Sequence, residues 1–285
     1  MRQIFQDNDL QKSFLKKGYV QVPMLSSTQV MYLLEEIAKL RPYDNFAPKN
    51  SYHCSFLDPN LEYKRQTYNL IRGIFTPFVN EYLVGYEILN CNFYVKPPHT
   101  GEFQIHQNWP AIADINDTTV TIWCPLVDVI ESNGAIQVVA GSHKILPHIE
   151  APNSPPYFVN FQEALIEKYL KPFPMKAGEA IIFDDGLIHW SRKNDSDQSR
   201  IAIQILCIPS DATPTFFFKE CEERFELIHA DSEFFLTSHV SDLYGDRKPD
   251  WKSVGFVKNQ NRLITEEEFA KLLKNGEEIR SQIYS

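Results

Sequence analysis

The chain has no C-x-x-C pair. Its five cysteines, Cys54, Cys91, Cys124, Cys207 and Cys221, stand singly along 285 residues. That excludes a zinc ribbon and a disulfide framework and leaves buried, reduced thiols. Long apolar runs are missing too: no stretch nears the roughly eighteen residues a membrane span needs, and the opening MRQIFQDNDLQKSF has no signal-peptide core. A cytoplasmic protein with no membrane partner is expected. Positive charge is scarce, with 28 Lys and Arg against 37 Asp and Glu, a formal net charge of -9. No basic stretch with interleaved aromatics offsets it, so no nucleic-acid partner is expected.

Apolar material is plentiful, at 43% hydrophobic and 13% aromatic, enough for a substantial core in one domain. Ser26 to Gln29 reads as a capping box opening a helix whose apolar face is Val30, Leu33, Leu34, Ile37 and Leu40, stopped by Pro42. Arg41 to Arg65 shows no steady period and reads as surface loops whose aromatics could line a pocket. From Tyr86 the pattern becomes short β-branched and aromatic runs: Tyr86 to Val95, Thr118 to Val129, Ala135 to Val139, Ala180 to Phe183 and Ile201 to Ile208. Asn133-Gly134, Ala140 to Lys144 and Lys176 to Glu179 are turn signals between them. A helix capped at Asn160 is expected to interrupt the β region and end before Pro172, and another to open at Thr265-Glu268 and close at Asn275-Gly276. The fold class expected is mainly β with flanking helices, a sandwich or barrel.

Three features sit on those strands and turns: His106-Gln107-Asn108, His189-Trp190-Ser191 and Arg200. A metal that must bind O₂ and a bidentate ligand takes three protein donors on one face and leaves three positions open. Positions 106 and 108 are i, i+2, so on extended chain both point to one side. His189 is then expected from a facing strand. Arg200 follows a polar hairpin, Lys193 to Gln198, that returns it on the strand beside the metal. Its planar fork suits a terminal carboxylate.

Over about residues 14 to 208 the sequence resembles the phytanoyl-CoA dioxygenase family of Fe(II) and 2-oxoglutarate oxygenases. The likeness rests on Phe14 to Val20 and the following helix, on Ile105-His106-Gln107-Asn108-Trp109, and on Asn133 to Ile136 leading to Gly141-Ser142-His143-Lys144. Its most specific part is Gly178-Glu179 with His189, Ser191 and Arg200 in an H-x-S-x8-R arrangement. The resemblance implies a double-stranded β-helix (jelly roll, cupin-like) in a single domain over residues 1–285. That domain would comprise an N-terminal helical region 1–85, a core of about 86–208 and a C-terminal extension 209–285. It implies Fe(II) held by His106, Asn108 and His189, 2-oxoglutarate held by Arg200 and Ser191 and bordered by Trp123 and Asn92, and O₂ as the second cosubstrate. The activity implied is hydroxylation of an unactivated carbon of a small-molecule or carrier-tethered substrate, with succinate and CO₂ as coproducts.

The sequence departs from the family at one ligand. The family's metal motif is H-x-D, and here position 108 is asparagine. An amide oxygen can ligate iron but is neutral, so Fe(II) would be held less tightly. Four readings stand side by side: a working site with Asn108 as neutral ligand; a site that borrows Asp114 or Asp117; a non-catalytic jelly-roll binding protein with a degenerate metal site; and an inactivated Asp-to-Asn variant of a hydroxylase. Related halogenases also lack the carboxylate, but they place a small residue where Asn108 would fill the halide space.

Other conspicuous residues have plainer explanations. His53, His99, His143, His148, His229 and His239 show no ligand spacing to one another. Asp184-Asp185 reads as a strand-ending turn, Phe216-Phe217-Phe218 as core, Glu266-Glu267-Glu268 as the acidic first turn of a helix, and Trp109 equally as pocket wall or core.

Overall fold

A computed structural model describes residues 2–40 and 52–284. Helix α1 (Asn8–Lys17) is capped by Asp7, whose side chain accepts from the backbone N–H groups of Asp9 and Leu10. It ends at Gly18, with φ 85°, where a Cβ would collide with His143 and Leu187. Strand β1 (Tyr19–Pro23) follows, then α2 (Ser27–Leu40). The capping box forms as read: Gln29 N donates to Ser26 Oγ and Ser26 N donates to Gln29 Oε1.

The remaining strands are β2 (His53–Cys54), β3 (Tyr86–Lys96), β4 (Phe103–His106), β5 (Val120–Pro125), β6 (Gln137–Val138), β7 (Lys171–Pro172), β8 (Glu179–Asp184), β9 (His189–Ser191), β10 (Arg200–Pro209), β11 (Thr215–Lys219), β12 (Arg224–His229) and β13 (Ser253–Lys258). Between β2 and β3 runs helix α3 (Leu61–Tyr82).

Two of the antiparallel sheets form the jelly roll. The major sheet runs β1-β8-β5-β10-β3-β2, the minor one β4-β9-β6-β7. Strand alternation gives the major sheet two apolar faces. The outward set, including Phe93, Val95, Ile122, Ile182, Ile201 and Ile203, shares one core with residues of α1, α2 and α3. The inward set, Trp123, Ile181, Phe183 and Ala202, packs with Ile136 and Val138 of the minor-sheet side. The site lies between the sheets.

Four expectations need correcting. The N-terminal region is not only helical, because β1 and β2 supply both edges of the major sheet. The segment read as loops to Arg65 contains the start of α3, capped by Asn60, whose Oδ1 accepts from Tyr63 N; residues 41–51 lie outside the described residues. The helix expected from Asn160 is an irregular succession of short turns over residues 159–169. The last helix spans Glu266–Tyr284 rather than closing at Asn275-Gly276: Thr265 Oγ1 caps it by accepting from Glu268 N, and Gly276 alone, costing about 1 kcal/mol in a helix, does not stop it.

The C-terminal strands form a separate sheet, β11-β12-β13. Phe216 and Phe217 are buried in it, which gives the aromatic triplet its core role. No helix among the described residues is long and apolar enough to cross a membrane.

Candidate active site

Strands β4 and β9 are neighbours in the minor sheet, with His106 opposite His189 in register and their rings 4.1 Å apart. His189 therefore comes from the adjacent strand of the same sheet, not from a facing one. Each imidazole is oriented by a backbone carbonyl: His106 Nδ1 lies 2.8 Å from Gln104 O and His189 Nδ1 lies 2.9 Å from Leu187 O. A carbonyl only accepts, so each Nδ1 carries the proton and each Nε2 keeps a lone pair for a ligand. Burial pushes both histidines below their usual range, His189 further because His106 faces it, so both are neutral at pH 7. Two neutral imidazoles with oriented Nδ1–H groups make a metal-ready pair.

Asn108 follows β4, and its backbone N–H donates to Asp185 O at 2.9 Å. Its Nδ2 donates to Thr121 Oγ1 at 2.8 Å and to Asp185 Oδ1 at 3.1 Å. The amide's oxygen is thereby left for the cavity that Asn108 lines with His106 and His189. Asp185 is buried, and its carboxylate also accepts from the hydroxyls of Thr119 and Thr121. Burial raises its pKa to about 6 against the opposing pull of those three donors, which leaves it ionised at neutral pH.

Asp114 and Asp117 are not brought to this pocket. Asp117 is ion-paired with Arg2, Asp114 fastens the Asn116 turn, and both line a different cavity. Among the described residues no group of three His, Cys, Asp or Glu gathers as a ligand set, and the side-chain amide beside the two histidines in the cavity lining is that of Asn108.

Arg200 opens β10 in the major sheet and reaches the pocket from across the sandwich rather than from a strand beside the two histidines. It is 2% exposed, stacks over Trp123 at 5.3 Å, and its Nε and Nη1 have no hydrogen-bond partner. Burial pushes its pKa down to about 9. A buried guanidinium with orphaned N–H groups is a receptor for an anion.

Beside it, opposite in the β3–β10 register, is Lys96, fully buried. Its Nζ has three acceptors within hydrogen-bond distance, Ser191 Oγ at 2.7 Å, Ser191 O at 2.9 Å and Arg192 O, which an ammonium would serve singly and a neutral amine serves with two shared N–H groups. Burial and the neighbouring Arg200 push its pKa down to about 5. Ser191 Oγ donates in turn to Gly134 O at 2.7 Å. Gly134 has φ 82°, and a Cβ there would strike Arg192 O at 2.8 Å, so the central hairpin needs glycine to close over this corner.

The cavity between the two histidines and Arg200 has a volume of about 90 Å³. It collects His106, Asn108, His189, Ser191, Arg200 and Trp123 in one place. Asn92 lies on the same row as Trp123 and Gln204, but Gln204 lines the cavity while Asn92 turns to Cys54, whose Sγ lies 3.7 Å from its Oδ1. Trp109 belongs to the apolar cluster with Phe216 and Tyr244 rather than to the pocket wall. His143 packs against Phe14 and Gly18, away from the metal-ready pair.

Sequence reasoning missed Lys96, Gln204 and the part played by Asp185. Lys96 carries no spacing signal to Arg200, since only the β3–β10 register brings them together. Asp185, four residues before His189, had such a signal, but a turn explains that position equally well.

A family model described as phytanoyl-CoA dioxygenase matches residues 14–202. A curated relative from Stutzerimonas stutzeri, a probable alpha-ketoglutarate-dependent hypophosphite dioxygenase, is 28% identical over 151 residues, 47% of this chain and 52% of that relative. The chain thus matches about half the length of that relative. Among solved structures, the non-heme alpha ketoglutarate dependent carbocyclase SnoK from nogalamycin biosynthesis aligns with a TM-score of 0.55 at 18% identity, covering 73% of this chain and 86% of that one. HygX from Streptomyces hygroscopicus, with nickel and 2-oxoglutarate bound, aligns with a TM-score of 0.50 at 14% identity, covering 72% and 88%. At these identities the solved structures establish the shared fold.

Proposed function

The chain belongs to the phytanoyl-CoA dioxygenase family, and from that membership and its donor set we propose that it is an Fe(II)- and 2-oxoglutarate-dependent dioxygenase that hydroxylates a carbon of a small or carrier-tethered molecule. The observation that carries the reading is the pairing of two Nδ1-anchored histidines with a buried, orphaned guanidinium across one cavity.

His106, His189 and the Oδ1 of Asn108 would hold the metal, and Arg200, with Ser191 and Lys96 beside it, would take the distal carboxylate of 2-oxoglutarate. When bound, iron with this cosubstrate and O₂ supplies the oxidant that converts a substrate C–H to C–OH, as 2-oxoglutarate goes to succinate and CO₂. The chain's own contribution is orientation and exclusion of water. The backbone carbonyls at Gln104 and Leu187 fix the imidazoles, Trp123 and Phe183 wall the pocket, and the cosubstrate's charge is met by groups already desolvated. A second cavity of about 160 Å³, also lined by Asn108, gives a small molecule space beside the ligand set.

The test is succinate release from 2-oxoglutarate under air with a panel of small and carrier-bound substrates. The reading expects release that is lost in His189→Ala. A chain that binds neither metal nor 2-oxoglutarate would favour a non-catalytic jelly-roll protein instead.

A further inference from the structure

Asparagine at position 108 leaves the iron ligand set without a carboxylate, yet a carboxylate stands directly behind it. Asp185 is 3% exposed and receives only donors: the Thr119 hydroxyl, the Thr121 hydroxyl at 2.6 Å and Asn108 Nδ2 at 3.1 Å. Thr121 Oγ1 passes its own proton to Asp185 and accepts from Asn108 Nδ2 at 2.8 Å. The backbone is latched as well, with Asn108 N donating to Asp185 O. An aspartate at 108 would place an oxygen where Nδ2 now stands, 3.1 Å from Asp185 Oδ1, and set two carboxylates against each other. Asparagine at 108 and aspartate at 185 are therefore a matched pair.

We propose that Asp185 is a positioning residue for the metal: it locks the Asn108 amide with its oxygen toward the ion and supplies, one residue back, the negative charge that H-x-D places on the ligand itself. The inference rests on the reading that His106, Asn108 and His189 hold the metal. A ligand's hydrogen-bond partner typically changes metal affinity by about 10- to 100-fold when removed. Asp185→Asn removes the charge and leaves a single amide oxygen to accept from the three donors that now share a carboxylate, which weakens the lock.

The experiment is competition for Co(II) against a chromophoric chelator, which needs neither substrate nor turnover. Wild type is expected to bind Co(II), Asp185→Asn to bind at least tenfold more weakly, and the exchanged pair Asn108→Asp with Asp185→Asn to recover affinity to within about threefold of wild type or better. Recovery by exchange separates positioning from a merely structural role, since a structural defect at 185 would persist in the double variant. Thr121→Val removes the shared hydroxyl and is expected to weaken Co(II) several-fold; it decides the matter if Asp185→Asn does not fold.

Equal affinity of wild type with Asp185→Asn, or with Thr121→Val where only that variant folds, overturns the positioning role and leaves the oxygenase reading standing. So does an exchanged pair no tighter than Asp185→Asn. A wild-type chain that binds no Co(II) overturns both.

Discussion

Replacing Arg200 by Met separates a binding residue from a structural one, because the two roles give opposite results in the free protein. Arg200 is 2% exposed, with Nε and Nη1 unpartnered, and burial already drags its pKa to about 9. A structural arginine is paired, and breaking a buried pair costs about 3–5 kcal/mol. Arg200 has no such pair among the described residues, and methionine keeps much of its apolar volume against Trp123. The free variant should therefore unfold within about 1 kcal/mol of wild type, or be more stable.

Cosubstrate binding should collapse. Truncating one partner of a desolvated, hydrogen-bonded charge pair costs about 2–5 kcal/mol, and 1.4 kcal/mol is tenfold in Kd. The loss is about 30- to 4,000-fold. The assay is thermal unfolding with Mn(II), with and without 2-oxoglutarate. At about 100 Kd a ligand stabilises by about 2.7 kcal/mol, or about 4–5 °C for a chain of this size. Wild type should show that shift and Arg200→Met no more than about 1.5 °C of it at the same concentration. A free variant destabilised by 3 kcal/mol or more would make Arg200 structural, and one that keeps the full shift would remove it from the cosubstrate site.

Other consequences follow from the same pocket. His106→Ala and His189→Ala should each weaken Co(II) or Mn(II) by at least about 100-fold while circular dichroism stays native, as expected for a lost ligand rather than lost packing; an unchanged metal affinity in either would remove that histidine from the set. Binding of 2-oxoglutarate should take up protons near pH 7. Burial and Arg200 push Lys96 to about 5, so its amine is uncharged at neutral pH, and an adjacent carboxylate raises that pKa and favours the ammonium. The uptake approaches one proton, disappears below about pH 5 where the amine is already charged, and appears as a buffer-dependent heat in calorimetry. Its absence in wild type, or its persistence in Lys96→Met, would exclude Lys96 as the source.

The sequence carried the parts of the site that depend on local spacing. The i, i+2 relation of His106 and Asn108 and the eleven-residue step from His189 to Arg200 are short-range features that can be read without knowledge of sheet order. What it did not carry depends on which strands meet. His189 could be placed opposite His106 only by knowing that β9 lies beside β4. Arg200 approaches from the other sheet because β10 sits at the centre of the major one. Lys96 reaches the same corner through a ladder between strands a hundred residues apart.

Asn92 illustrates the converse. It lies on β3 as expected, but a row crosses the whole sheet, and the side chain one strand over, Gln204, is the one at the cavity. The meaning of Asn108 lay furthest from the sequence. Alone, an asparagine in place of aspartate reads as a damaged ligand; with Thr121 and Asp185 behind it, it reads as an oriented one.

The most direct measurement is an anaerobic titration of the wild-type chain with Fe(II) and 2-oxoglutarate, followed in the visible spectrum. An Fe(II) and 2-oxoglutarate site gives a saturable metal-to-ligand charge-transfer band that needs both components and is lost in His189→Ala and Arg200→Met. Tight binding of neither component, with no band at saturating concentrations, would contradict it.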